Sequence, residues 1–122
     1  MKASDFRKEL VKLMPGYDWT VHKVRPGDVA ICATGTKSSG FNRLSTLSIS
    51  RIEKDGVVTY EAKSAGFGTR ARWMHTHTDG TLARALRGLQ NHYEVMANTY
   101  RGLASALQSG RGTPSDIEEV RA

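Results

Sequence analysis

The stretch LARALRGLQNHYEVMANTYRGLASALQ, residues 82–108, decides the fold of this chain. Large apolar residues recur along it at alternating spacings of four and three: Leu82, Leu86, Leu89, Tyr93, Met96, Tyr100, Leu103 and Leu107. A period of about 3.5 residues held this long predicts one long amphipathic helix. Thr78 or Asp79 would cap its start, and Gly110 would end it.

Upstream of this helix the hydrophobic period changes to two, which predicts strands with one apolar face. A short helix from Ser4 to Met14 is expected first, with Ser4 as its N-cap. The strand patterns follow at residues 17–22, 29–33, 44–52, 58–62 and 70–76. Asp55-Gly56 is a strong hairpin signal between the third and fourth strands, and residues 25–28 have the composition of a turn.

The element order α-β-β-β-β-β-α with short connections predicts an α+β fold. We expect an antiparallel meander of four to five strands, with one face covered by the short N-terminal helix and the long C-terminal helix. The other face would be open to water and would carry Thr20, Thr34, Thr46, Ser48, Ser50, Thr59 and Arg72. Residues 1–109 are predicted to form a single domain and residues 110–122 a flexible tail, in which residues 115–118 match a capping box.

Composition favours a small soluble protein with an anionic partner. The chain has 122 residues, a net charge of +6 and a single cysteine, Cys32, which excludes an internal disulfide. The N-terminus has no signal-peptide pattern and no apolar run is long enough to span a membrane, so no membrane association and a cytoplasmic location are expected. Acidic residues are missing from residues 29–52 and 62–78, where basic residues collect. Such segregation indicates a basic surface, the alternative being a basic protein with no anionic partner.

Two short stretches resemble each other, SGFNR at residues 39–43 and AGFGTR at residues 65–70. The first connects the second and third strands, and the second connects the fourth and fifth. In a meander both connections emerge at the same end of the sheet, and the Asp55-Gly56 turn lies at the opposite end. We therefore predict one binding edge formed by Lys37, Phe41, Arg43, Lys63, Phe67, Arg70, Arg72 and Trp73.

Arginine forks match the geometry of phosphate, and aromatic rings offer stacking surfaces for bases. The edge therefore favours a non-catalytic binding protein for nucleic acid, either single-stranded DNA or RNA. Three alternatives remain open: a protein-interaction module such as an adaptor or a phage-type inhibitor of host machinery acting as a dimer, a binder of a small phosphorylated ligand, or an edge whose two phenylalanines fold back to plug the core.

No enzyme is expected from this sequence. It contains no phosphate-binding P-loop, no Gly-x-Ser-x-Gly elbow and no dinucleotide fingerprint, so no catalytic residues and no cofactor are predicted. His75 and His77 have a spacing that can chelate zinc, but a further ligand is needed. The candidates for it are His22, Cys32, Asp79 and His92. Because no further metal-ligand spacing supports them, no metal site is predicted, and Cys32 is expected to be a buried thiol.

The long helix also predicts an oligomer. A helix over residues 79–108 is about 45 Å long, whereas a five-stranded sheet is only about 20 Å wide. The second half of the apolar row would therefore overhang the sheet, as a homodimer interface of Tyr93, Met96, Tyr100, Leu103 and Leu107. The alternative is a monomer whose two helices pack together.

In element order alone, the chain resembles two groups of nucleic-acid-binding domains. Its α-β-β-β-α core is similar to that of double-stranded RNA-binding domains, although two strands are extra and Thr81, Leu82 and Ala83 stand where that family has lysines. A meander followed by one long helix looks like the single-strand binders of the transcription-coactivator and Whirly type. The diagnostic motifs of both groups are absent, so the resemblance implies only that such an architecture can bind nucleic acid.

Overall fold

The computed structural model describes residues 1–25 and 27–112. Its elements are α1 (Ala3–Leu13), β1 (Asp18–Val21), β2 (Ala30–Ser39), β3 (Asn42–Lys54), β4 (Val57–Ala65), β5 (Trp73–Asp79) and α2 (Leu82–Arg111). The strands form one antiparallel sheet in the order β1-β2-β3-β4-β5. The predicted α+β meander with a short N-terminal and a long C-terminal helix is confirmed.

Two tight turns set the register of the central strands. Asp55 and Gly56 join β3 to β4 with φ values of 54° and 76°, the pattern of a type I′ hairpin, as the sequence predicts. Gly40 and Phe41 join β2 to β3 directly after the pair Ser39–Asn42, and Gly40 has a φ of 58°. A positive φ at only the first turn residue is typical of a type II′ turn. The second and third strands are therefore longer than predicted and are joined by two residues instead of a loop.

The core lies on one face of the sheet, which we call the covered face. It consists of Phe6, Leu10, Trp19, Ile31, Ala33, Leu47, Ile49, Tyr60, Ala62, Leu82, Ala85 and Leu89. Trp19 is 5% exposed and donates its indole N–H to the Met14 carbonyl at 3.0 Å. Its ring lies flat on Gly35 of the neighbouring strand, where an added Cβ would be 2.6 Å from ring carbon Cζ3. The indole can therefore pack in the core only because Gly35 has no side chain.

Helix boundaries differ from the sequence prediction by a few residues. α1 begins at Ala3, so Lys2 is the N-cap residue and Ser4 is not, and Lys2 makes no side-chain capping bond. α2 is capped by Thr81, whose hydroxyl accepts the Arg84 N–H at 3.2 Å, because Thr78 and Asp79 belong to β5. The helix continues through Gly110 to Arg111, and Gly112 follows with a φ of 59°.

The chain divides into two compact units, Met1–Leu89 and Gln90–Ala122, and the division falls within α2. In the first unit Leu82 and Leu89 are buried in the core, so the first part of the apolar row covers the sheet as predicted. In the second unit the described residues are helical to Arg111. Most of the predicted tail, with its capping box, lies outside the described residues. No helix within residues 1–25 and 27–112 is long and apolar enough to cross a membrane.

Candidate nucleic-acid interface

The two Gly-Phe stretches lie together at one end of the sheet, which we call the loop end. The backbone N–H of Gly68, in the β4–β5 connection, donates to the carbonyl of Arg43 in β3 at 3.0 Å. This bond ties the β4–β5 connection to the β2–β3 hairpin. The prediction that the two stretches meet at one end, opposite the Asp55-Gly56 turn, is therefore confirmed.

Both phenylalanines at the loop end point into solvent. Phe41 is fully exposed at the tip of the hairpin, and Phe67 is 82% exposed. Their neighbours Gly40 and Gly68 have φ values of 58° and 96°, which side-chain-bearing residues rarely adopt, so these loop shapes depend on glycine. The alternative in which both phenylalanines plug the core is wrong.

Two β-bulges add apolar surface that the sequence analysis missed. On β3 the partner of Lys37 is Ser45 and that of Ser38 is Arg43, which leaves Leu44 as the extra residue. On β5 the partner of Ser64 is His75 and that of Ala65 is Trp73, so Met74 is the extra residue there. Leu44 and Met74 are 38% and 64% exposed at the loop end. The adjacent apolar pair Trp73-Met74 breaks the period of two and is the signal that could have indicated the second bulge.

Arginines surround this apolar surface. The Arg43 guanidinium is held by two hydroxyl acceptors, Nε to Ser38 Oγ at 3.2 Å and Nη1 to Thr46 Oγ1 at 3.4 Å. Arg70 and Arg72 are exposed in the β4–β5 connection. Lys37 is exposed near the end of β2. Arg43 is thus a partly preorganised cation, whereas no side-chain hydrogen bond within residues 1–25 and 27–112 restrains the other three.

The uncovered side of the sheet, which we call the open face, continues from the loop end and carries mostly hydroxyl side chains. The cross-strand register places two rows there, Asp18–Thr36–Thr46–Ala65–Trp73 and Thr20–Thr34–Ser48–Lys63–Thr76. All ten residues are half-buried or exposed.

The fifth strand differs from the prediction in its position. It begins at Trp73 instead of Arg70, so Arg72 lies in the connection and not on the open face. Trp73 itself, paired with Ala65, lies on the open face and is 50% exposed. The indole is therefore available at the point where the loop end meets the hydroxyl rows.

Lys63 is one row further from the loop end than the other predicted site residues. Its Nζ lies 3.4 Å from Glu61 Oε1, two residues earlier on the same strand. Asp18 and Glu61 are the acidic residues in the rows described or adjacent to them. The cationic character of the site is therefore concentrated in the arginines at the loop end.

Arg51, towards the opposite end of β3, has a different environment. Burial lowers its pKa, but hydrogen bonds to Tyr60 and Glu53 outweigh burial, and the pKa is raised overall. The guanidinium donates to Tyr60 Oη and to Glu53 Oε2, each at 3.2 Å. It lines a cleft of about 300 Å³ together with Val29 and Ile31. The positive charge of Arg51 is balanced by Glu53, so this arginine has a structural role. The environment of Arg43, held by two hydroxyls, is different.

The residues considered for metal binding include one close pair. His77 and Asp79 lie on the covered face of β5, with His77 Nε2 and Asp79 Oδ2 3.8 Å apart. Within the described ranges no group of three or more His, Cys, Asp or Glu side chains is arranged to hold a metal ion. Cys32 is half-buried on the open face, 3.3 Å from Ser50 Oγ, so the expectation of a buried thiol is wrong.

Comparison of the chain with protein-family models, with curated proteins and with solved structures finds no match.

Proposed function

We propose that this protein is a non-catalytic nucleic-acid-binding protein that binds single-stranded DNA or RNA at the loop end. The observation that carries the proposal is the Gly68–Arg43 hydrogen bond, because it joins two connections that each present an exposed phenylalanine next to arginine. Stacking surfaces and phosphate-binding groups are thereby held within one small area.

Phosphate would be bound by the arginines. Arg43 is restrained by Ser38 and Thr46, which lowers the entropy lost when its guanidinium is fixed by a ligand. Arg70 and Arg72 lie exposed on the same connection as Phe67, so their charges are close in sequence to that ring. Gly68 is exposed, and nothing lies within 4 Å of a Cβ added to it, so its backbone is accessible to a phosphate or sugar.

Bases would be bound by aromatic stacking on Phe41, Phe67 and Trp73. All three rings are at least half exposed, and no covalent chemistry is required of them. Stacking on an aromatic side chain contributes about 1–3 kcal/mol per base and needs a base whose face is free. Because a duplex hides its base faces, this geometry favours unpaired nucleotides. Hydroxyls of the adjoining row, such as Thr46 and Thr36, would then hydrogen-bond to sugar or base edges.

The proposal is tested by fluorescence anisotropy with labelled single-stranded and duplex oligonucleotides of DNA and RNA. The protein must first be freed of co-purified nucleic acid. We expect wild-type protein to bind the single strands more tightly than the duplexes, and Arg43→Ala/Arg70→Ala to weaken binding at least tenfold. A matched control is Lys8→Ala/Lys54→Ala, which removes two exposed charges from α1 and from the opposite end of β3.

Two results would reject the proposal. One is the absence of binding to every oligonucleotide at low salt. The other is equal loss of affinity in the two double variants, since that would mean that net charge alone determines binding. A cytoplasmic location forms part of the proposal, as the single cysteine fits a reducing compartment.

One observation favours a second candidate, a protein-interaction module. Phe41, Leu44 and Met74 give the loop end more exposed apolar surface than phosphate binding requires. A protein partner would be favoured if Phe41→Ala abolished a protein contact while Arg43→Ala had little effect on it. In the anisotropy experiment this candidate predicts no binding to any of the oligonucleotides.

A further inference from the structure

A second apolar surface lies on the second unit. Between residues 90 and 111, α2 carries the continuation of the apolar row. Tyr100, Leu103 and Leu107 are 61%, 57% and 72% exposed, and Tyr93 and Met96 are half-buried. Most of the stability of helices in proteins comes from packing of the apolar face. This exposed row therefore favours a helix that is packed against another surface.

The amount of exposed surface is sufficient for a specific interface. With typical side-chain areas, the row and its small neighbours Ala97, Ala104 and Ala106 present roughly 600 Å² per helix. Two such surfaces packed on each other would bury roughly 1,200 Å², which is the lower limit for stable protein–protein interfaces. An α2–α2 pair would therefore reach this limit when both rows are almost completely buried.

The residue pattern indicates that a second copy of this chain packs on the apolar row of α2. A repeat of about 3.5 residues is the period by which like helices pack along their whole length. Charges lie outside the row and its borders: Glu94 and Arg101 are set back from it, and the border positions are held by residues such as Ala97 and Thr99. An apolar row without charged borders is self-complementary, which suits the symmetric interface of a homodimer. We propose that α2 forms an antiparallel pair with α2 of a second copy of this chain.

The exposed residues also fix the register of the pair. The apolar residues occupy two positions of the seven-residue repeat. In an antiparallel helix pair, a residue at one of these positions lies opposite a residue at the other position on the partner helix. The register that buries Tyr100, Leu103 and Leu107 together places Tyr100 on Leu103 of the partner subunit and Leu107 on Met96 of the partner subunit. In a parallel pair, each side chain of the row would lie against the same residue of the partner helix. Such a pair would also lack the charged border pairs that specify parallel zippers. Opposed helix dipoles add to the preference for the antiparallel pair.

The mass of the full-length chain in solution tests the pairing. Light scattering across the micromolar range should give twice the chain mass for wild type. Leu103→Glu should give the monomer mass, because it places a charge in the row. Val95→Glu is the matched control, since Val95 is 62% exposed on the same helix but lies outside the row. Circular dichroism checks that both variants keep their sheet.

A monomeric wild type at all concentrations would overturn the proposal, and so would equal behaviour of the two variants. Orientation is tested by mixing Met96→Cys and Leu107→Cys chains, each in a Cys32→Ser background. The antiparallel pair predicts a disulfide between the two different chains, whereas two Leu107→Cys positions would be about 16 Å apart along the axis. Disulfides formed only between identical chains would reject the antiparallel arrangement. The oligonucleotide experiments do not enter this test, so the two proposals can fail separately.

Discussion

The backbone of Gly88 in α2 lies directly on the imidazole ring of His77 in β5, and a Cβ at this position would overlap the ring. Gly102 occupies the equivalent place two heptads later, and no atom would lie within 4 Å of a Cβ added there. The structure thus explains the presence of glycine at one of these two positions only. Gly88 permits close approach of the helix to the edge strand, whereas nothing in the structure explains Gly102.

This difference predicts opposite effects of the same substitution. Gly102→Ala should raise helix stability by about 0.5–1 kcal/mol, because alanine is the better helix former. Gly88→Ala gains the same propensity but must displace His77, so we expect a net loss of about 1 kcal/mol in the free energy of unfolding. Urea denaturation followed by circular dichroism measures both. If Gly88→Ala is stabilising, or if adding His77→Ala does not relieve its cost, the close approach is not what selects glycine.

A second prediction concerns Gly35 under the Trp19 indole. Trp19 is fixed by its hydrogen bond to the Met14 carbonyl and cannot easily move away from an added methyl group. Gly35→Ala should therefore cost about 2–3 kcal/mol of unfolding free energy. Gly16→Ala is the control, because a Cβ at Gly16 meets nothing within 4 Å, and it should change stability by less than about 0.5 kcal/mol. Similar costs for the two variants would show that Trp19 adjusts freely.

These glycines also show why part of the fold could not be predicted from the sequence. Strands with apolar residues on one face, such as β3 with Leu47 and Ile49, were found because their period of two is clear. β5 presents His75, His77 and Asp79 to the covered face, so it has no apolar period, and the sequence pattern predicts the strand three residues before its observed position. The hydrophobic pattern of β2 stops at residue 33, short of the observed end at Ser39, because Gly35 gives no hydrophobic signal although it lies under Trp19.

For the candidate site, the sequence is sufficient to predict which connections lie at the same end of the sheet. It is not sufficient to predict which side chains are exposed there. A meander places the connections at residues 40–41 and 66–72 at one end whatever the side chains do, and the structure has this arrangement. Exposure of Phe41 depends on a two-residue turn with positive φ at Gly40, which the composition of the stretch does not specify. The bulge residues Leu44 and Met74 depend on cross-strand register, which is a property of strand pairs and not of one strand.

A third prediction separates the shape of the loop end from the stability of the sheet. Gly68→Ala places a side chain at a φ of 96° and disturbs the bond to the Arg43 carbonyl. Gly27→Ala imposes the same kind of strain, at a φ of 88°, in a turn at the opposite end. Both should lose about 1–2 kcal/mol of unfolding free energy. Only Gly68→Ala should also weaken oligonucleotide binding. If both substitutions lower the affinity equally, the hydrogen bond from Gly68 to the Arg43 carbonyl does not shape the binding site.

Fluorescence provides a fourth prediction, because the chain has two tryptophans in contrasting environments. Trp73 is 50% exposed on the open face and Trp19 is 5% exposed in the core. A base stacked on Trp73 should quench its emission, so wild-type fluorescence should fall on titration with single-stranded oligonucleotide. Trp73→Phe keeps an aromatic surface and should bind within a few-fold of wild type, yet show no quenching. Quenching that persists in this variant would place the bound base away from Trp73.

The dependence of affinity on salt gives the fifth prediction, because phosphate contacts release counterions. For single strands the logarithm of the binding constant falls with the logarithm of salt concentration by about 0.7 per phosphate neutralised. Arg43→Ala should therefore lower the slope by about 0.7, since this guanidinium is held at the loop end by Ser38 and Thr46. Lys54, at the far end of the same strand, carries the same charge but lies beside the Asp55-Gly56 turn. Lys54→Ala should leave the slope unchanged while lowering the net charge by the same amount. If both substitutions reduce the slope equally, the nucleic acid is attracted by total charge and not by contacts at the loop end; if only Arg43→Ala does so, a phosphate lies at Arg43.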